Sequence, residues 1–283
     1  MTDTAEYHRP DTLQGALDRL QEGGCRIAAG CTDLFAVNQH KTLSGPILDI
    51  TGIPELRGIR RDADGLRIGA AATWTDVIRA DLPCACAGLQ LAAREVGARQ
   101  IQNRGTVAGN ICNASPAADG VPPLLTLDAV VEIAGADGTR RLPLCDFITG
   151  PRRTALAPGE IVTAVVIPEA ALAGQGHFLK LGARHCLVIS IAMTAARIVL
   201  RDGVVAQAAL AVGSCGPVAT RLPQVEAALI GASLDATRVT DADVAAALRP
   251  MDDMRATAGY RSIGAAELLR RTLAALQDLT EAA

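Results

Sequence analysis

Ile101-Gln102-Asn103-Arg104-Gly105-Thr106-Val107-Ala108-Gly109-Asn110 is the stretch on which the reading of the fold turns. From Gly105 to Asn110, two glycines and two polar side chains fall within six residues, after a helical pattern at about Cys86 to Val96. Backbone can approach a ligand closely at Gly105 and Gly109, and Thr106 and Asn110 supply polar groups beside them. The same composition suits an ordinary polar turn, so the segment alone leaves both readings open. Just downstream, Asn113-Ala114-Ser115-Pro116-Ala117-Ala118-Asp119 breaks the chain at Ser-Pro. Asp119 there suits either a ligand hydroxyl or the cap of the next helix.

Further upstream, Ile27-Ala28-Ala29-Gly30-Cys31-Thr32-Asp33-Leu34 reads as a strand, a glycine turn and the start of a helix over Leu34 to Gln39. Free amides at such a turn favour an anion, and the Thr32 hydroxyl adds a donor. A turn that merely closes a strand has the same pattern. A third segment, Lys180-Leu181-Gly182-Ala183-Arg184-His185, places two cations four residues apart. They suit an anionic ligand or a solvated surface pair. No G-x-G-x-x-G fingerprint, H-E-x-x-H helix, Ser/His/Asp order or paired carboxylates accompany these loops. With anion loops but no acid–base set, the chemistry is expected to come from a cofactor.

Taken together, the loops resemble the FAD-binding (medium) subunits of the molybdenum hydroxylases, the xanthine dehydrogenase and carbon monoxide dehydrogenase family. That family's pattern is roughly A-G-G-T-D-L, then I-R-N-x-G-T-x-G-G-N, then N-x-S-P-x-x-D. Here it stands as Ala29 to Leu34, Ile101 to Asn110 and Asn113 to Asp119. Resemblance continues through Gly159 to Val162, Lys180 to His185, Gly213 to Arg221 with Glu226, and Tyr260-Arg261, covering essentially the whole chain in order. The resemblance implies an α+β fold in three parts. Residues 1–54 and 55–174 would be an α+β and a β-rich subdomain that clasp an extended FAD. Residues 175–283 would be three antiparallel strands with helices. It implies FAD contacts at Ile27, Ala28, Ala29, Gly30, Cys31, Thr32, Asp33 and Leu34, and at Thr106, Val107, Ala108, Gly109 and Asn110, with Ser115, Asp119, Ile161 and Lys180 beyond the loops. The two glycine loops would hold the pyrophosphate.

The resemblance also implies partners: a molybdopterin-binding large subunit and a 2Fe–2S small subunit, in a dimer of heterotrimers. NAD is the acceptor implied by the xanthine dehydrogenase branch. A stand-alone FAD oxidoreductase and a flavin-free docking subunit are the alternative readings. Three departures stand out: Cys31 replaces the second glycine of the first loop, Ala108 a glycine of the second, and Gln102 a common arginine. An added methyl is harmless at negative φ, whereas a side chain at positive φ costs about 1 kcal/mol or more.

Elsewhere the pattern is mixed. Leu13, Ala16, Leu17 and Leu20 mark a helix ended by Gly23-Gly24. Short strands are expected at Ile47 to Ile50, Leu66 to Ala70, Ala129 to Ile133 and Ile161 to Ile167, with a helix at Thr75 to Arg79. A hairpin joins Ile189–Leu200 to Val204–Val212 through Asp202-Gly203. The last helix puts Leu269, Leu273, Leu276 and Leu279 or Thr280 on one face.

The 283 residues, 49% hydrophobic with a net charge of −3, rule out a disordered chain. Acidic residues (30) outnumber basic ones (27), and only 2% of residues are aromatic, which argues against nucleic acid. No apolar run approaches the ~20 residues of a membrane span. The first residues carry no secretory signature, and the eight cysteines form no metal-ligand pattern, so no metal site is expected here. A cytoplasmic protein with reduced, mostly buried thiols is the expectation.

Overall fold

In the computed structural model, residues 6–36, 43, 45–185 and 187–281 are described, and the chain falls into three successive layered blocks. The first holds β1 (Tyr7–His8), α1 (Leu13–Gln21), β2 (Arg26–Ala28) and β3 (Ile47–Asp49), with all strands parallel in the order β1-β3-β2. Helix α1 starts where the Thr12 hydroxyl accepts from Gly15 N. It buries Ala16, Leu17 and Leu20, and ends at Gly23 and Gly24, both left-handed. The parallel strands send their C-terminal ends, and the loops that follow, to one edge of the sheet.

The second block opens with β4 (Ile59–Asp62) and β5 (Gly65–Gly69), followed by α2 (Trp74–Arg79), α3 (Ala87–Glu95), α4 (Arg99–Gln102), α5 (Val107–Asn113) and α6 (Val121–Thr126). It continues with β6 (Val130–Gly135), β7 (Gly138–Pro143), α7 (Leu144–Phe147), the small ribbon β8 (Ile148–Gly150) and β9 (Arg153–Thr154), and β10 (Ile161–Pro168). Five strands pair antiparallel in the order β4-β5-β10-β6-β7. Central β10 is apolar throughout Ile161 to Ile167 except Thr163, because both its faces are covered. Edge strand β7 is polar and mostly exposed.

The third block carries β11 (Gln175–Leu181), β12 (Ala192–Arg201), β13 (Val204–Gly213) and β14 (Thr220–Arg221), then α8 (Pro223–Leu229), α9 (Asp241–Ala247) and α10 (Ala258–Glu281). Asp202 and Gly203, with φ of 53° and 75°, make the primed turn that matches the twist of the long β12–β13 hairpin. The three long strands gain a two-residue fourth, β14, at the edge. Leu269, Leu273 and Leu276 of α10 are fully buried against this sheet.

Three expectations are corrected. Leu279 is 45% exposed and leaves the buried face beyond the last buried turn of α10, while the side chain of Thr280, the alternative expected there, lies outside the described residues. Thr32 to Ala36 form a turn where the start of a helix was expected, and the rest of that expected helix, 37–39, lies outside the described residues. Of the seven described cysteines only Cys86 and Cys215 are buried, whereas Cys84, Cys112 and Cys145 are exposed; all seven are unpaired.

Helix α6 joins the second and third blocks. All of its residues are buried, and Pro122 and Pro123 sit in its first turn, where their missing N–H groups cost nothing. At its C-terminal end Arg197 Nε donates to Thr126 O (2.8 Å) and Arg221 Nη1 to Leu125 O (2.9 Å), while both guanidiniums grip Asp128 at 3.2 and 2.8 Å.

Candidate functional site

The two glycine loops meet. A Cβ on Gly30 would lie 2.0 Å from Arg104 O and 2.8 Å from Gly105 Cα, so the loop after β2 can touch the loop before α5 only as glycine. The second loop is fixed from below. Trp74 N donates to Gly105 O (3.0 Å), Val107 N to Ala72 O (3.1 Å), and Thr73 and Thr106 form an isolated antiparallel bridge. The Trp74 indole fills the space under Gly105 and Gly120, and is 1% exposed. Thr106 caps α5, its Oγ1 accepting from Gly109 N at 2.9 Å.

Between the loops lies a cleft of 410 Å³, within the range of small-molecule sites. Its apolar lining comes from Ile27, Leu34, Ile50, Ile101, Leu156, Ile161 and Val162. Its glycine and polar lining comes from Gly30, Thr32, Asp33, Gly105, Thr106, Gly109, Asn110 and Asn113, and Ala29, Cys31 and Ala108 line it as well. Five of the residues singled out from the sequence stand elsewhere. Ala28 packs with Leu43 and Ile47, and Val107 is in the main core. Ser115 Oγ accepts from Ala117 N in its own turn. Lys180 Nζ is 2.7 Å from Asp119 Oδ2, and Ser190 Oγ donates to Asp119 Oδ1 at 2.6 Å. Asp119 is therefore neither a helix cap nor solvated, and Lys180 is no surface cation. Arg184 is exposed and donates to Leu187 O. Burial pushes the Asp119 carboxyl up, against the pull of Lys180 and Ser190.

Cys31 adopts φ 60°, the left-handed conformation that the glycine pattern anticipates. Its Sγ donates to Ala29 O (3.5 Å), and burial, with Asp49 nearby, pushes its thiol up. Ala108 lies inside α5, where a methyl is welcome. Cys112, open to the cleft yet deep in the molecule, has its thiol pushed up to about 12 by burial. Neither thiol is an activated nucleophile. Trp74, Ile50, Cys112 and Leu156 carried no site signal in the sequence. Ile101, Asn113 and Val162 lie inside the quoted motifs without having been singled out as contacts, and Asn113 falls three residues after Asn110 on one helix face.

These residues fit a flavin dinucleotide: one cleft offers apolar side chains for a flat ring system together with glycines, hydroxyls and amides for its polar groups. Asn110 lines the cleft, and its Oδ1 is buried beside Gly120 with no protein partner, so the hydrogen-bonding capacity of this amide is unspent. Comparison with known proteins decides the family. The model of the FAD binding domain in molybdopterin dehydrogenase matches residues 3–170, more than half of the chain. The chain belongs to this family. The CO dehydrogenase flavoprotein C-terminal domain matches residues 177–276 of the same flavin subunit. The xanthine dehydrogenase FAD-binding subunit of Escherichia coli O157:H7 is 36% identical over 236 residues, covering 80% of this chain and 79% of that protein. The nicotinate dehydrogenase FAD-subunit of Eubacterium barkeri is 34% identical over 242 residues, covering 81% and 80%. A solved carbon monoxide dehydrogenase of Hydrogenophaga pseudoflava, lacking the Mo-pyranopterin moiety of its molybdenum cofactor, superimposes with a TM-score of 0.89. It is 27% identical and covers 98% of this chain and 99% of that one. The flavin subunit is thus an FAD-binding component of an oxidoreductase. Among its described residues no helix is long and apolar enough to cross a membrane, and no group of three or more His, Cys, Asp or Glu is placed to hold a metal ion.

Proposed function

We propose that the flavin subunit carries electrons from iron–sulfur clusters on a small partner subunit to an external acceptor, with NAD the first to test. A molybdopterin-binding large subunit would oxidise the substrate. The assembly would be a cytoplasmic dimer of heterotrimers, with residues 1–54 and 55–174 as the flavin-clasping subdomains and 175–283 as a third domain. The single observation that carries this reading is the one cleft lined by both glycine loops and by apolar side chains. Bound FAD supplies one- and two-electron redox chemistry. The chain's own part is to bind and orient: Thr106 and Asn110 offer small polar contacts to a pyrophosphate, Gly109 lets it approach the backbone closely, and Ile27, Ile161 and Val162 exclude water. The Asp119–Lys180 pair lies outside the lining of this cleft. Names of the relatives, FAD-binding subunit and FAD-subunit, support a role as one part of a larger enzyme.

The test is what the chain does alone. The purified subunit is expected to bind FAD one-to-one, to show at most weak NADH-dependent dye reduction, and to oxidise no purine, aldehyde or N-heterocycle. Adding the two partner subunits should restore turnover, with flavin reduction following substrate oxidation. Substrate turnover by the metal-free subunit alone would overturn the assignment.

A further inference from the structure

We infer that Asn113, held by Arg152, is an additional flavin-binding donor in the cleft; this rests on the flavin reading above. Arg152 lies in the turn between β8 and β9 and adopts φ 58°, a conformation rare for a long side chain. What it gains is a grip on the end of α5. Its backbone N donates to Ala114 O (2.8 Å), and its Nη1 donates to Asn113 O (3.3 Å) and to Asn113 Oδ1. Helix α5 ends there with Ala114 left-handed, so Arg152 satisfies carbonyls that would otherwise lack partners.

The bond to Oδ1 has a consequence for the amide. A guanidinium has donors only, so the atom facing Arg152 must be the Asn113 oxygen, whichever way an amide is first drawn. The Asn113 NH₂ is thereby turned from Arg152, and among the described residues it has no protein acceptor. Asn113 lines the cleft. Asn110, one turn earlier on the same face, has its Oδ1 buried beside Gly120, which leaves its NH₂ to the cleft as well. Two amide donors one turn apart make a wall that fits an acceptor-rich group. In FAD that means the pyrophosphate oxygens or the ring carbonyls.

Asn113→Asp keeps the oxygen that Arg152 needs and removes both N–H donors. It is expected to leave the thermal midpoint of the apoprotein unchanged or raised, and to weaken FAD binding about tenfold, the worth of one good hydrogen bond. FAD, ADP and riboflavin are titrated in parallel by flavin fluorescence and competition. A loss shared by FAD and ADP places the donor on the pyrophosphate, and a loss shared by FAD and riboflavin places it on the ring. Arg152 acts through Asn113, so Arg152→Ala should weaken FAD binding less, Arg152→Lys should restore part of it, and Arg152→Ala in an Asn113→Ala background should change nothing further. Unaltered constants for all three ligands in Asn113→Asp and Asn113→Ala, with FAD bound normally by the wild type, would overturn the inference alone. A wild-type protein that takes up no FAD would sink the flavin reading and this inference with it.

Discussion

Gly30 and Cys31 are adjacent, and their requirements are opposite. Gly30 has no left-handed backbone yet must be glycine, because the Arg104 carbonyl occupies the place of a Cβ. Cys31 is left-handed at φ 60° yet is not glycine, because the space beside it accepts a thiol packed near Ala28, Leu43 and Ile47. Across the cleft, Ala108 stands where the pattern again expects glycine, and being inside α5 it has neither problem. A glycine in a motif can therefore record a close approach, a backbone angle or neither, and only the first is absolute here.

The sharpest way to break this contrast is Gly30→Ala. One methyl against the fixed backbone of the second loop should cost about 3 kcal/mol of stability and abolish FAD binding, read by denaturant titration and flavin content. Gly109→Val separates site from fold. Gly109 is exposed and lines the cleft, and its Cβ would meet only the Thr106 side chain, 2.7 Å from Oγ1. FAD affinity should fall about a hundredfold with the circular dichroism spectrum kept, and stoichiometric FAD at unchanged affinity would refute the placement of this loop. The smallest effects come from a pair of opposite sign. Cys31→Gly should raise stability by about 1 kcal/mol through relief of the left-handed backbone, and Ala108→Gly should lower it by about 1 kcal/mol through loss of helix propensity. Equal signs in thermal melts would mean that the thiol packing outweighs the angle.

Much of this architecture was legible in the residues. The spacing of Leu13, Ala16, Leu17 and Leu20 gave α1, and Asp202-Gly203 gave the β12–β13 hairpin, because a period and a turn dipeptide are local signals. Elements fixed by distant partners were not legible. β1 and β14 are two residues each and exist only through β3 and β13. Helix α6 opens on two prolines and has no polar face, so no amphipathic period announces it. In the site, the glycine loops could be read from the sequence. Trp74 could not, because its role depends on Gly105 and Gly120, which lie 31 and 46 residues further along the chain.

Helix α6 bears on how far this protein can be taken apart. Asp119, before its first turn, answers to Lys180 and Ser190, and Asp128, after its last, to Arg197 and Arg221. A boundary drawn near residue 174 looks clean along the chain but passes through a closed electrostatic circuit in space. Chopping the gene there would strand two carboxylates on one fragment, four of their partners on the other, and leave a buried helix, apolar but for Thr126, facing water. Modularity in this molecule belongs to the sequence, and cooperativity to the structure: the halves are expected to melt as one.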